Sequence, residues 1–327
     1  NKKEIISGPK WLYENVLSSK KVIAVSGTHG KTSVTSMISH VLIQNNLNPN
    51  YLIAGIPNTL QKSWNISPSE LFIIEADEYD TSFFDKKPKF FHYKPNVLLI
   101  NNIEFDHADI YANIEMIEKN FFELIESMPI QSKVLINAKK VRQSFIEHLN
   151  KAKLKTEIIQ LNFDANDIHY ENKLLTLSVL EDILPKAAIL SALESYGGVK
   201  RRYETIFEDD FFKVIDDFAH HPTAIKETLS IAKKENEEVE LIVELGSNSM
   251  RNGIHDQKLV EIFSKNKAYV INANEEQKKK FKGDAKELEL SDLDSICKKN
   301  KTKKIILMCG NKNFQGFQQL IIDKLIK

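Results

Sequence analysis

Residues 26 to 32 read Ser26, Gly27, Thr28, His29, Gly30, Lys31, Thr32. They follow the β-branched run KVIAVS (21–26) and precede VTSMISHVLIQNN, in which Val34, Met37, Ile38, Val41 and Leu42 recur at helical spacing. Strand, glycine loop, helix is the context in which backbone N–H groups turn inward around a phosphate. The glycines permit the turn, the helix N-terminus contributes partial positive charge, Lys31 supplies a point charge, and the Thr32 hydroxyl can ligate magnesium. The loop departs from GxxxxGK[ST], because Val25 stands where that pattern has its first glycine.

Two further polar clusters follow hydrophobic runs. LFII leads into Glu75, Ala76, Asp77, Glu78, Tyr79, Asp80, and this density of carboxylate needs a cation. Magnesium takes one or two carboxylates together with phosphate oxygens and water, so Glu75 with Thr32 and a polyphosphate makes a plausible shell. NVLLI leads into Asn101, Asn102, Ile103, Glu104, Phe105, Asp106, His107. A lone histidine is more often structural than ligating, and His107 acquires a role only in company. Further along stand Arg201 and Arg202, then Asp216, Asp217, Phe218, Ala219, His220, His221 and Pro222; a plain reading of the last group is an acid capping the helix that Pro222 opens.

These clusters need a scaffold. LFIIEAD (71–77), NVLLINNI (96–103) and KVLINA (133–138) read as buried strands, and 114–128 as an amphipathic helix. Strands alternating with helices predict a mostly parallel, doubly wound sheet, with ligands at the carboxyl ends of the strands. The pattern weakens from 150 to 180; LPKAAILSALESYGG (184–198) then predicts a helix ended by Gly197 and Gly198, a hinge candidate. FFKVIDDFAHHP, a helix from Thr223 to Lys233, VELIVEL, AYVINA and KKIILMCG predict a second α/β domain, and the lysines of 278–282 a solvated helix face. A chain of 327 residues suits two domains, here 1–198 and 199–327.

Composition narrows the rest. Lys+Arg (45) equals Asp+Glu (45), so no global field favours nucleic acid or a membrane surface, and any anion site must be built locally. Two cysteines, Cys297 and Cys309, without CxxC spacing, argue against a disulfide framework or structural zinc and fit a reducing cytoplasm. No apolar run reaches membrane-spanning length, and the start NKKEIISGPKWLYENVL lacks a signal-peptide core.

The stretch SGTHGKTS resembles the shortened phosphate loop of the Mur ligase and folylpolyglutamate synthase superfamily. EADEYDTSFFDK, HYKPNVLLINNIEFDHADIY, VKRRYE, DDFAHHPTAI and SNSMRNGIH are most similar to its peptide-adding Mur branch, from about residue 5 to the end. The resemblance implies a P-loop central ATPase domain, a C-terminal Rossmann-like domain, ATP and Mg²⁺ as cofactors, and amide formation through an acyl phosphate. The substrates it implies are UDP-N-acetylmuramate and a murein tripeptide. It assigns Gly27, Thr28, His29, Gly30, Lys31, Thr32 and Ser33 to the triphosphate, Thr32, Glu75 and His107 to magnesium, and Asn102 to a place beside ATP and substrate. Arg202 is assigned to the phosphates, Asp217 to the ribose and His220 to the adenine; Lys31, Glu75, His107 and Arg202 would be catalytic. The chain departs from the family pattern at three places. No N-terminal UDP-holding domain is represented, no HNxxN segment is visible near the end of the central domain, and Gly246 stands where PRSNTM would have arginine. The stretch NFFELIES also lacks the lysine that several Mur ligases carbamylate, as in the branch that adds directly to muramic acid. Alternatives are an alanine-adding ligase, a nucleotide-binding remnant without activity, and a small-molecule kinase.

Overall fold

The computed structural model describes residues 5–107, 110–165 and 167–327; Ala108 and Asp109 of the FDHADIY stretch lie outside them. It divides into two compact units, Asn1–Val199 and Lys200–Lys327.

The first unit runs α1 (Gly8–Asn15), β1 (Lys21–Ser26), α2 (Lys31–Gln44), β2 (Asn50–Leu52), β3 (Trp64–Asn65), β4 (Leu71–Glu75), β5 (Asp80–Ser82), β6 (Asp85–Pro88) and α3 (Phe90–Tyr93). It continues through β7 (Val97–Ile100), α4 (Ile114–Ser127), β8 (Lys133–Asn137), α5 (Gln143–Lys151), β9 (Glu157–Leu161), α6 (Ile168–Leu180) and α7 (Lys186–Glu194). Seven strands form one sheet in the order β3-β2-β4-β1-β7-β8-β9, parallel except for the β2–β3 pair. Each central strand is apolar on both faces because helices cover both. Val22 and Ala24 of β1 pack with Phe121 and Leu124 of α4, while Ile23 and Val25 pack with Val34, Ile38 and Val41 of α2. The predicted helix over 114–128 forms as α4, capped by Asn113, whose side chain accepts from the Met116 N–H.

Register places the chemistry. Val25 pairs with Glu75 and Ser26 with Ile100, so the loop after β1, the acid ending β4 and the asparagines after β7 emerge on one edge, at the carboxyl ends of three neighbouring strands.

The second unit is a six-stranded sheet ordered β10-β11-β15-β12-β13-β14. Its strands are β10 (Glu204–Glu208), β11 (Phe212–Asp217), β12 (Val239–Glu244), β13 (Lys267–Ile271), β14 (Ala285–Glu287) and β15 (Lys304–Cys309). Only β10 runs antiparallel to its neighbour. Helix α8 (Pro222–Glu235) follows β11. Gln277, beside the lysine-rich stretch, is buried, so the helix Glu275–Lys280 is solvated on one side only.

Candidate functional site

The loop between β1 and α2 is built on two glycines. Gly27 has φ +133°, and a Cβ there would lie 2.9 Å from the Asn102 backbone N and O; Gly30 has φ +77°, and a Cβ there would lie 2.4 Å from Asn101 Nδ2. No side chain with a Cβ fits either place without displacement. Gly30 is the N-cap of α2 and has no side chain to accept from the first-turn N–H groups, so no capping side chain satisfies them. The loop is braced from the β7 side. Asn102 Oδ1 accepts the His29 N–H at 2.8 Å, and the His29 carbonyl accepts from Asn101 Nδ2 (2.9 Å) and Asn102 Nδ2 (3.0 Å). The Thr28 hydroxyl accepts from the Glu104 N–H at 2.9 Å. Ser26 Oγ donates to the Ala76 carbonyl at 2.6 Å, tying β1 to the acidic turn.

Thr32 Oγ1 donates to Glu75 Oε2 at 3.0 Å, and Glu75 Oε1 accepts the Ala54 N–H at 2.7 Å. Both side chains are buried. A hydroxyl and a carboxylate in contact at the mouth of a phosphate-type loop are the hard oxygen donors that Mg²⁺ prefers. Lys31 Nζ donates to the Gly27 carbonyl at 2.6 Å and to Glu78 Oε2 at 3.0 Å, with Asp77 Oδ1 at 3.5 Å. Burial works against its charge, but Glu78, Asp77 and Glu75 together hold the ammonium above the ordinary lysine range. Burial also works against the Asp77 carboxylate, and Lys31 and Lys89 overcome it, holding that carboxyl below its ordinary value. Lys89 arrives because the β5–β6 hairpin reverses the chain; its Nζ lies 2.9 Å from Asp77 Oδ2. His107, at φ +53°, places Nε2 3.7 Å from Glu78 Oε1 and its ring against Tyr79. The structure thus joins Lys31, Thr32, Glu75 and Asn102 around one loop and brings His107 to Glu78.

Two further polar side chains lie beside the loop, Asn101 from the cluster after β7 and Asn172, which sequence reasoning passed over. Asn101 Oδ1 and Asn172 Oδ1 are buried without a hydrogen-bond partner, and the latter would lie 3.5 Å from a Cβ on Gly30. Orphaned acceptors beside a glycine cradle, with Lys31 and the open α2 terminus, fit a ligand bearing both phosphate and donor groups. Asn172 sits on α6 in the frame Ile168, His169, Tyr170, Glu171, Asn172, where interleaved polar residues leave no clear helical period in the sequence.

In the second unit, Asp217 ends β11 and accepts from the N–H groups of Tyr203 and Ala219, each at 2.7 Å. Burial raises its carboxyl above the ordinary value against the pull of Arg202. Arg202 stacks over the Phe218 ring at 4.8 Å, and His220 Nδ1 pairs with the Phe218 carbonyl at 2.9 Å. Arg201 is turned elsewhere, to Asp216 at 3.0 Å and the Gly310 carbonyl at 2.8 Å. The α8 cap is His221, which accepts from Thr223, so Asp217 is not spent on capping that helix. A Cβ on Gly246 would meet Asn311 Oδ1 at 2.4 Å and Lys312 Cγ at 2.7 Å, so an arginine does not fit there unless those side chains move.

Comparison with known proteins follows the same outline. The Mur ligase middle domain profile matches residues 25–181. The UDP-N-acetylmuramate–L-alanyl-γ-D-glutamyl-meso-2,6-diaminoheptandioate ligase of Haemophilus influenzae is 32% identical over 99% of this chain and 81% of its own length. The UDP-N-acetylmuramate–L-alanine ligase of Clostridium perfringens is 34% identical over 65% of this chain and 52% of its own length. The crystal structure of a murein peptide ligase from Psychrobacter arcticus superposes with a TM-score of 0.70 and 28% identity, covering 98% of this chain and 80% of that one. Loop, acidic turn and chain-long similarity agree, and the chain belongs to the Mur ligase family of ATP-dependent, ADP-forming amide ligases.

Proposed function

We propose that this chain is a peptidoglycan ligase that joins the murein tripeptide L-alanyl-γ-D-glutamyl-meso-diaminopimelate to UDP-N-acetylmuramate in the cytoplasm, as a recycling step. Residues 1–198 serve as the ATP-binding domain and 199–327 as the C-terminal domain. The observation that carries the reading is the convergence of Lys31, Thr32 and Glu75 on one glycine loop, in a chain matched along 99% of its length by a ligase of that name. The alanine-adding ligase, by contrast, matches 65% of it.

The reaction has two steps. A carboxylate oxygen of the muramate attacks the γ-phosphorus and ADP departs; the tripeptide amine then attacks the acyl carbon, loses a proton and expels phosphate. Loop amides and the α2 terminus hold the phosphates in place, and Lys31 neutralises charge on the transferred group. Thr32, Glu75 and His107 are the proposed magnesium ligands; when bound there, the ion would supply neutralisation of phosphoryl charge. Arg202, Asp217 and His220 are proposed nucleotide contacts, for the phosphates, ribose and adenine, and Asn102 is proposed to lie beside ATP and substrate.

The test is ADP and phosphate release by the purified chain with ATP, Mg²⁺, UDP-N-acetylmuramate and tripeptide, with the product identified by mass spectrometry. An amide product is expected. Turnover with L-alanine in place of tripeptide would shift the reading to the alanine-adding ligase, a stable phosphorylated product to a kinase, and nucleotide binding without turnover to a remnant.

A further inference from the structure

One carboxylate in the site has no part in the scheme above. Glu78 lies three residues beyond Glu75, is 2% exposed, and puts its two oxygens to different uses. Oε2 receives the Lys31 ammonium at 3.0 Å; Oε1 faces His107 Nε2 at 3.7 Å. Its carbonyl accepts the Tyr111 hydroxyl, and Asn120 holds that hydroxyl at 3.2 Å, so the backbone is fixed and only the side chain is left to move.

The Lys31 ammonium has three N–H donors; the Gly27 carbonyl and Glu78 Oε2 accept two of them, and Asp77 Oδ1 stands 3.5 Å away as an ion-pair partner. A phosphate oxygen that reaches Lys31 competes with these partners, and Glu78 and Asp77 carry the same sign of charge as it does. The Gly27 carbonyl is part of the loop, and Asp77 is shared with Lys89, so Glu78 is the partner that can leave. Once displaced, its charge stays buried beside the incoming phosphate, and like charges in a desolvated site repel strongly unless a cation lies between them. The free oxygen already faces His107, one of the proposed magnesium ligands.

Resting on the ligase reading, we propose that Glu78 is a positioning residue that takes the place of a phosphate oxygen on Lys31 in the empty site and makes nucleotide affinity depend on a divalent cation. Its displacement couples the two binding events: metal-free nucleotide meets the carboxylate's charge, and nucleotide arriving with Mg²⁺ does not.

Calorimetric titration of the full chain with a non-hydrolysable ATP analogue, in Mg²⁺ and in EDTA, tests this. For Glu78→Gln, metal-free binding is expected to tighten about tenfold, the scale of one charge-assisted contact, with the ratio of metal-free to Mg²⁺ Kd shrinking by a similar factor. Glu78→Asp keeps the charge but draws it back from Lys31. It should tighten metal-free binding about threefold and retain most of the metal dependence; this variant decides the matter if Glu78→Gln does not fold. A merely structural residue would weaken both affinities together, lower the melting temperature and leave the ratio unchanged, which overturns the proposal. Wild-type chain that binds no nucleotide with or without Mg²⁺ overturns the ligase reading and this one with it. Tight nucleotide binding with an unaltered ratio in both variants overturns this one alone.

Discussion

Asp77 shows how a partly buried charge in this site is held. Desolvation disfavours its ionised form, and Lys31 and Lys89 more than reverse that, so its folded pKa is depressed. For a depressed carboxyl the stabilisation is present above the unfolded value, ~3.9, and is lost as pH falls through the folded value. Lys89→Met removes one of the two cations, together with the Lys89 contacts to the Tyr79 hydroxyl and ring. It is expected to cost about 1.5–3 kcal/mol near neutral pH, the range for a hydrogen bond to a charged group, and to move the acid-unfolding midpoint upward. Circular dichroism followed through a pH titration reads both; an unshifted acid midpoint would show that Lys31 alone sustains the Asp77 charge.

At the scale of elements, the loop is rigid because two glycines adopt backbone conformations that other residues resist and two asparagines lock the His29 peptide. Gly30→Ala, at φ +77° and against Asn101, is predicted to cost about 1–3 kcal/mol of stability and to weaken ATP binding at least as strongly as it weakens the fold. A variant that binds ATP normally, measured by calorimetry beside a thermal melt, would mean the loop is not the phosphate cradle. The strand, loop and helix here were legible in the sequence because the hydrophobic period changes at the glycines. So were β4, β7 and β8, continuous apolar runs buried on both faces. Helix α6 was not, because buried Glu171, Asn172 and Thr176 interleave with Leu175 and Val179 and erase the amphipathic signal; Asn172, whose Oδ1 lies beside Gly30, went unseen with it. The two-residue strand β3 offers no period to read, and Lys89 joins the acidic turn only through the β5–β6 reversal, a pairing that no linear spacing announces. Ordering Glu75 before Glu78 was possible from strand register, but the Lys31 contact that separates their roles depends on side-chain packing.

For the molecule as a whole, each unit carries its own pair of apolar layers, one on either face of its sheet, so stability is a property of each sheet and its helices before it is a property of the chain. A ligand that binds only the folded state stabilises it by RT ln(1 + [L]/Kd), ~2.7 kcal/mol at a hundredfold excess over Kd. If the β1–α2 loop grips ATP, that increment must appear in the amides whose exchange requires opening of the first unit, among them Val22 to Ser26 and the buried turns of α2. Hydrogen exchange read by mass spectrometry is therefore expected to slow in those peptides with MgATP by up to roughly a hundredfold. Lys31→Ala removes the ammonium and leaves Glu78 a buried charge without its lysine partner, so it should weaken ATP binding by about 1.5–3 kcal/mol and raise basal exchange in the same peptides. Protection by MgATP that is equal in wild type and Lys31→Ala would place the nucleotide somewhere other than this loop.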